Sequence, residues 1–88
     1  MIQREVVVKN RAGLHTRPAA SLVKLAAKFK SDFFIDKDGF EINGKSIIGV
    51  MTLAAEQGSK LALRFTGEDE EQAATAVCEL IERGFDEA

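Results

Sequence analysis

The sequence predicts an α+β fold in which an antiparallel sheet of four strands carries three helices on one face. Two observations predict it. Short segments alternate apolar and polar residues around turn signals, and longer segments repeat apolar residues every three or four positions. The element order is βαββαβα. The expected strands are 2–8, 32–37, 40–43 and 60–66, and the expected helices are 16–29, 47–54 and 69–84.

The first strand and the first helix are separated by a short loop. The strand ends in a run of valines, which favours extended backbone, and Gly13 gives the loop its conformational freedom. Pro18 suits the first turn of a helix, where its missing N–H is not needed. The apolar positions of this helix have helical spacing and are Ala19, Leu22, Val23, Ala26 and Phe29.

Turn and cap signals place the remaining elements. Asp38-Gly39 indicates a two-residue hairpin turn between the second and third strands. The apolar segment 47–54 is too short for its period to decide, but Ser46 as an N-cap favours a short helix. In the last strand, the residues expected on one face are Leu61, Leu63 and Phe65, with Arg64 and Thr66 on the other. The last helix has an acidic first turn and an apolar stripe formed by Ala73, Val77, Leu80 and Ile81.

Length and composition limit what the chain can do. We interpret its 88 residues as a single domain, 1–88, that buries about 60–65% of its unfolded surface. Such a domain has no room for a deep catalytic cavity, so we expect it to act at its surface with a partner rather than as an enzyme. The net charge of −2 argues against nucleic-acid binding. Basic residues nevertheless dominate 1–30, which favours a locally positive face that attracts anions or acidic partners.

The remaining compositional signals concern location. The single cysteine, Cys78, excludes an intrachain disulfide, and we expect it to be a partly buried small hydrophobe. No apolar run approaches the roughly 18 residues of a membrane span, and the first ten residues lack the apolar segment of a signal peptide. We therefore expect a cytoplasmic protein with no membrane contact.

The segment that carries chemistry is 13–20, GLHTRPAA, which places the only histidine directly before a helix. Unpaired N–H groups and a partial positive charge make that helix end an anion site. The same charge disfavours a protonated imidazole, so we expect His15 to be neutral and nucleophilic. Arg17 is close enough in sequence to contact an anion on His15. A nucleophile and an anion site therefore lie together, as transient phosphorylation of an imidazole requires.

From these residues alone one plainer interpretation remains open, and two others are disfavoured. His15 and Arg17 also fit an ordinary surface loop with a solvated charge. A metal site is disfavoured because His15 has no second histidine and Cys78 is distant in sequence. A hydrolase with His15 as a base lacks a recognisable nucleophile and pocket.

The string GLHTRPAA resembles the active-site motif of the HPr family, the histidine-containing phosphocarriers of the bacterial phosphoenolpyruvate-dependent phosphotransferase system. A second segment, 45–51 (KSIIGVM), matches the family at a similar spacing, and chain length and element order agree. The resemblance implies an open-faced β-sandwich and a phosphocarrier without a cofactor. His15 would accept a phosphoryl group on Nδ1 from phosphorylated enzyme I and pass it to an enzyme IIA. Arg17 and the backbone N–H groups of Thr16 and Arg17 would hold the phosphate.

The resemblance also implies a regulatory role for Ser46, as a substrate of HPr kinase/phosphorylase; capping and regulation are compatible. The apolar centre of a partner-docking face is expected to be Leu14, Ile47, Ile48 and Met51, although at least one isoleucine is expected in the core. Lys24 and Lys28 share a helical face with Arg17 and are either its basic rim or a solvated surface. The family implies a monomer.

Two questions stay open at this point. The segments 45–51 and 51–59 favour a mainly regulatory carrier over one devoted to sugar uptake. A different class of function is a non-catalytic α+β module that binds a small ligand or RNA. Against RNA, the sheet face offers neither Tyr nor Trp, and Phe34 and Phe40 do not lie in an RNA-stacking motif.

Overall fold

The structure, a computed structural model, describes residues 1–87; the last residue of the expected domain lies outside them. Its strands are β1 (Ile2–Val7), β2 (Asp32–Lys37), β3 (Phe40–Asn43) and β4 (Lys60–Thr66). Its helices are α1 (Thr16–Ala26), α2 (Ile47–Thr52) and α3 (Glu70–Glu82). The strands pair antiparallel in the order β1-β4-β2-β3. The predicted fold class and element order are confirmed.

The core lies between the sheet and the helices. The inward residues of β4 (Leu61, Leu63 and Phe65) are buried, as their alternation predicts, and the ring of Phe65 stacks on Phe33 with centroids 4.7 Å apart. The predicted stripe of α3 is buried throughout: Ala73, Val77, Leu80 and Ile81. In α1 the buried residues are Ala19, Leu22 and Ala26, whereas Val23 and Phe29 are half-buried.

All three helices end before the last residue that the sequence predicts for them. After Ala26 the chain tightens into a turn in which the N–H of Phe29 donates to the carbonyl of Ala26 at 3.1 Å. The ammonium of Lys45 then donates to the carbonyl of Phe29 at 2.7 Å, which satisfies an acceptor at the end of this turn. The helix α2 ends at Thr52, because Ala54 adopts a positive φ of 49° and turns the chain back toward the core.

The C-terminal end contains an element that periodicity does not show. The helix α3 ends at Glu82, and Gly84 adopts the left-handed φ of 69° that commonly follows a helix end. The chain then forms a short left-handed turn over Gly84–Asp86, with Phe85 buried in the core. This turn brings the acidic C-terminal residues back beside α1.

The other face of the sheet is open, as alternation in the strands predicts. On it Arg64 lies over the ring of Phe34, 4.9 Å from its centroid, and pairs with Glu41 at 2.9 Å. The ring of Phe34 is thus covered by a side chain of the same sheet. Within residues 1–87, no helix is both long and apolar enough to cross a membrane.

Candidate functional site

His15 occupies the N-cap position of α1 and is exposed. Its carbonyl accepts the first helical hydrogen bond, from the N–H of Ala19 at 2.9 Å. The side chain of His15 makes no capping hydrogen bond, and the first turn of the helix carries no acidic residue. The positive end of the helix is therefore open to an anion beside the imidazole.

The loop before His15 is held in a demanding conformation. Gly13 has a φ of 71°, and a Cβ added there would lie 2.4 Å from the carbonyl oxygen of Ala55. The N–H of Leu14 donates to that same oxygen at 2.9 Å. The side chain of Leu14 is only 4% exposed, so the expectation that it contributes to an exposed docking surface is wrong. It enters the core because the segment after α2 crosses beside the loop.

One cleft joins His15 to the second predicted motif. His15, Leu14 and Met51 line a cleft of about 620 Å³, so the structure brings together residues that are far apart in sequence. Thr16, which the resemblance names for its backbone N–H, also lines the cleft. The other lining residues are ones that the sequence did not single out: Arg11, Ala12, Ala54, Ala55, Glu56 and Gln57. The sequence of 54–57 does not predict that these residues line the cleft, because no residue pattern indicates the positive φ of Ala54.

Arg17 is exposed on the other side of the first turn of α1. It lines a second cleft, of about 540 Å³, together with Ser21, Phe85, Asp86 and Glu87. Among the described residues Arg17 forms no ion pair, although two carboxylates line the same cleft. Its guanidinium is therefore available to an external anion.

Three apolar side chains of α2 are exposed to solvent. Ile47, Ile48 and Met51 are 38%, 74% and 42% exposed, and we call them the α2 patch. The expectation that at least one isoleucine is in the core is wrong, because Val50 alone fills the buried position of this short helix. Lys24 and Lys28 are exposed as expected, although Lys28 lies beyond the end of α1.

Ser46 is the N-cap of α2, as predicted. Its hydroxyl accepts from the N–H of Gly49 at 3.1 Å, and the residue is exposed. Elsewhere, Cys78 is half-buried, which confirms its interpretation as a small partly buried hydrophobe. Burial raises the pKa of this thiol, and the nearby charge of Glu82 raises it further, against a smaller opposite effect of Arg4.

The geometry can be compared with known proteins. The family model described as "PTS HPr component phosphorylation site" matches residues 2–83. The chain belongs to the HPr family. HPr proteins are phosphocarriers of the phosphotransferase system, so the resemblance in the two motifs is confirmed at the level of the family.

Individual HPr relatives cover nearly the whole chain. The phosphocarrier protein HPr of Xylella fastidiosa strain 9a5c is 46% identical over 99% of this chain and 98% of its own. The HPr-like protein Crh of Halalkalibacterium halodurans is 45% identical over 94% of this chain and 99% of its own. The crystal structure of an HPr from Thermoanaerobacter tengcongensis superposes with a TM-score of 0.96 at 43% identity, covering 100% and 99% of the two chains.

Proposed function

We propose that this HPr family member is a phosphoryl carrier that uses His15. The imidazole takes a phosphoryl group from phosphorylated enzyme I and passes it to an enzyme IIA. The observation that carries the proposal is the exposed imidazole at the acid-free N-terminus of α1, where the side chain of His15 makes no capping bond.

The transfer needs little from the carrier beyond geometry and charge. The unprotonated ring nitrogen of His15 forms a P–N bond, while the P–N bond of the donor phosphohistidine breaks and its electron pair returns to the donor imidazole. Similar bonds are made and broken, so the carrier has only to present the imidazole and stabilise charge on the phosphoryl oxygens. In this proposal the backbone N–H groups of Thr16 and Arg17, in the acid-free first turn of α1, and the guanidinium of Arg17 supply that stabilisation.

The α2 patch is the proposed docking surface for enzyme I and enzyme IIA. Met51 lines the same cleft as His15, so a partner seated on the patch reaches the imidazole. Lys24 and Lys28 are proposed as a basic rim that steers acidic partners. A small apolar centre with a charged rim gives the weak, reversible binding that a shuttle between partners needs.

Ser46 is proposed as a regulatory phosphorylation site for HPr kinase/phosphorylase. Its exposed hydroxyl adjoins Ile47, so a phosphate there adds about −1.5 to −2 charge beside the α2 patch. That charge opposes docking of acidic partners. The proposal includes a cytoplasmic monomer with mainly regulatory duties.

The alternative of an RNA-binding module has less support. On the open sheet face the ring of Phe34 is occupied by Arg64, whose charge is in turn paired with Glu41. A base that stacked on Phe34 would first have to displace both contacts.

The test is phosphorylation in a reconstituted mixture. The purified chain is incubated with enzyme I, phosphoenolpyruvate and Mg²⁺, and its intact mass is measured in neutral buffer. We expect a gain of one phosphoryl group that is lost in acid, absent in His15→Ala and kept in the matched variant Ser46→Ala. No gain with active enzyme I from the same host would contradict the proposal.

A further inference from the structure

The C-terminal turn is held in a conformation that costs free energy. Gly84, Phe85 and Asp86 have successive positive φ values of 69°, 58° and 60°. Side chains other than glycine rarely adopt such values, and strained backbone persists only where its surroundings hold it. Here Phe85, 7% exposed, anchors the turn in the core. The turn carries the next residue, Glu87, toward the loop that precedes His15.

Glu87 reaches that loop through a buried amide. Asn10 is 2% exposed, and its Nδ2 donates to the carbonyl of Gly13 at 2.9 Å and to Oε1 of Glu87 at 3.0 Å. Both amide hydrogens are thus used. In return, the N–H of Gly13 donates to the carbonyl of Asn10 at 3.2 Å. A continuous chain of hydrogen bonds leads from Glu87 through Asn10 to Gly13, two residues before His15.

We propose that Glu87 is a positioning residue for phosphoryl transfer at His15. By accepting from Asn10, it fixes the amide that holds Gly13, and thereby the approach of the chain to the N-terminus of α1. This inference rests on the proposed function of His15 and adds a residue from the far end of the chain to its support.

Loss of the carboxylate leaves a buried donor without its partner. An unpaired buried N–H is costly, so conformations in which the Asn10 amide turns toward water, and releases Gly13, become more populated relative to the native one. The left-handed φ of Gly13 and the bond from Leu14 to Ala55 remain, so the domain stays folded. The expected effect is therefore a shift of the loop away from its productive conformation.

The same contact helps to keep Arg17 available. Asp86 and Glu87 line the cleft of Arg17, yet each carboxylate has another partner. Asp86 pairs with Arg83 at 3.0 Å, and Glu87 accepts from Asn10. These partners hold the carboxylates in place while the guanidinium stays free for a phosphoryl group.

The experiment measures single-turnover transfer from phosphorylated enzyme I over a range of carrier concentrations. For Glu87→Ala we expect the rate at saturating carrier to fall about three- to tenfold, the equilibrium shift that one hydrogen bond supplies. The concentration for half-saturation stays unchanged, because the α2 patch is intact. Glu87→Gln restores the rate, since its Oε1 still accepts. The control Glu79→Ala removes an exposed carboxylate of α3 and leaves the rate unchanged.

Amide NMR provides a readout that separates positioning from general stability. In Glu87→Ala we expect shifts confined to the Asn10 side-chain amide and the backbone of 10–15, with the strand amides unmoved. A rate for Glu87→Ala equal to that of Glu79→Ala, or no restoration by Glu87→Gln, overturns the inference. Failure of the unaltered chain to accept a phosphoryl group overturns the proposed function instead, while the NMR comparison still reports on the Glu87–Asn10 contact.

Discussion

The N-termini of α1 and α3 differ in the acidic side chains that surround them. At α3, the carboxylate of Asp69 accepts from the N–H groups of Lys30 and Ser31 and from the hydroxyl of Ser31. The first turn of α3 adds two more acids, Glu70 and Glu71. At α1, His15 makes no capping bond and the first turn has no acid. Neither N-cap side chain bonds its own helix, so the two ends differ in charge: acidic side chains surround the N-terminus of α3, and the first turn of α1 has none.

The helix α2 lies between these extremes. Ser46 caps it with a neutral hydroxyl that accepts from Gly49. A phosphate on this hydroxyl would change a neutral cap into an anionic one. The three ends together indicate that an anion site in this fold depends on which helix end lacks both acidic side chains and a side-chain cap of its own. A positive helix end alone does not distinguish them.

The largest effect is expected on the rate of phosphoryl transfer, from a substitution at the N-terminus of α1. Arg17→Ala removes the guanidinium that we propose to hold the phosphoryl oxygens, and charge-assisted hydrogen bonds of this kind are among the stronger ones. We expect phosphoryl transfer to His15 to slow about ten- to hundredfold with little change in stability. Arg17→Lys keeps the charge but not the planar fork, and should be intermediate.

Rapid-quench transfer from phosphorylated enzyme I measures this effect, with Lys60→Ala as a control. That variant loses the same charge from an exposed position of β4. Equal transfer rates for Arg17→Ala and Lys60→Ala would show that Arg17 acts only through the net charge of the protein. The N-terminus of α1 would then have no special role in binding the phosphoryl group.

Much of the fold was predictable because its signals are local. The strands β2, β3 and β4 have their predicted bounds, since alternation and turn residues both mark their ends. The two apolar stripes that face the sheet follow from helical spacing. The ends of α1 and α2 were not predictable, because they depend on a lysine from another segment and on the positive φ of Ala54.

The candidate site divides in the same way. His15 and Arg17 are adjacent in the chain, so one motif reveals both. The burial of Leu14 and the hydrogen bond between Asn10 and Glu87 depend on contacts between segments that are far apart in sequence, so no local pattern predicts them. Both isoleucines of α2 are exposed because a six-residue helix buries little more than one residue.

A smaller effect is expected at the neutral cap. Ser46→Ala removes the acceptor for Gly49, and loss of such a cap typically costs about 1 kcal/mol. Urea unfolding should show this loss, whereas transfer to His15 should be unaffected. The same variant should take no phosphoryl group from HPr kinase/phosphorylase and ATP. A second phosphorylated residue in this variant would contradict the assignment of Ser46.

The smallest effect is expected at Asp69, the N-cap of α3, and it depends on pH. The hydroxyl of Ser31 and the N–H of Lys30 hold the pKa of Asp69 below its usual value. A carboxyl group whose pKa is lowered by folding stabilises the folded state above its unfolded pKa, near 4, and loses that contribution as the pH falls through the folded pKa. Asp69→Asn should therefore lower the urea midpoint at pH 7.

The difference between the two proteins should begin to shrink below about pH 4, where Asp69 of the unfolded chain becomes protonated, and should be lost once the pH falls through the lowered pKa of the folded state. Glu71→Gln, which removes an exposed charge from the same first turn, serves as the control and should show a smaller shift. A midpoint difference for Asp69→Asn that stays constant down to pH 2.5 would mean that the charge of Asp69 does not contribute to the stability of the fold. In that case the acidic residues at the N-terminus of α3 would not distinguish it energetically from the acid-free N-terminus of α1.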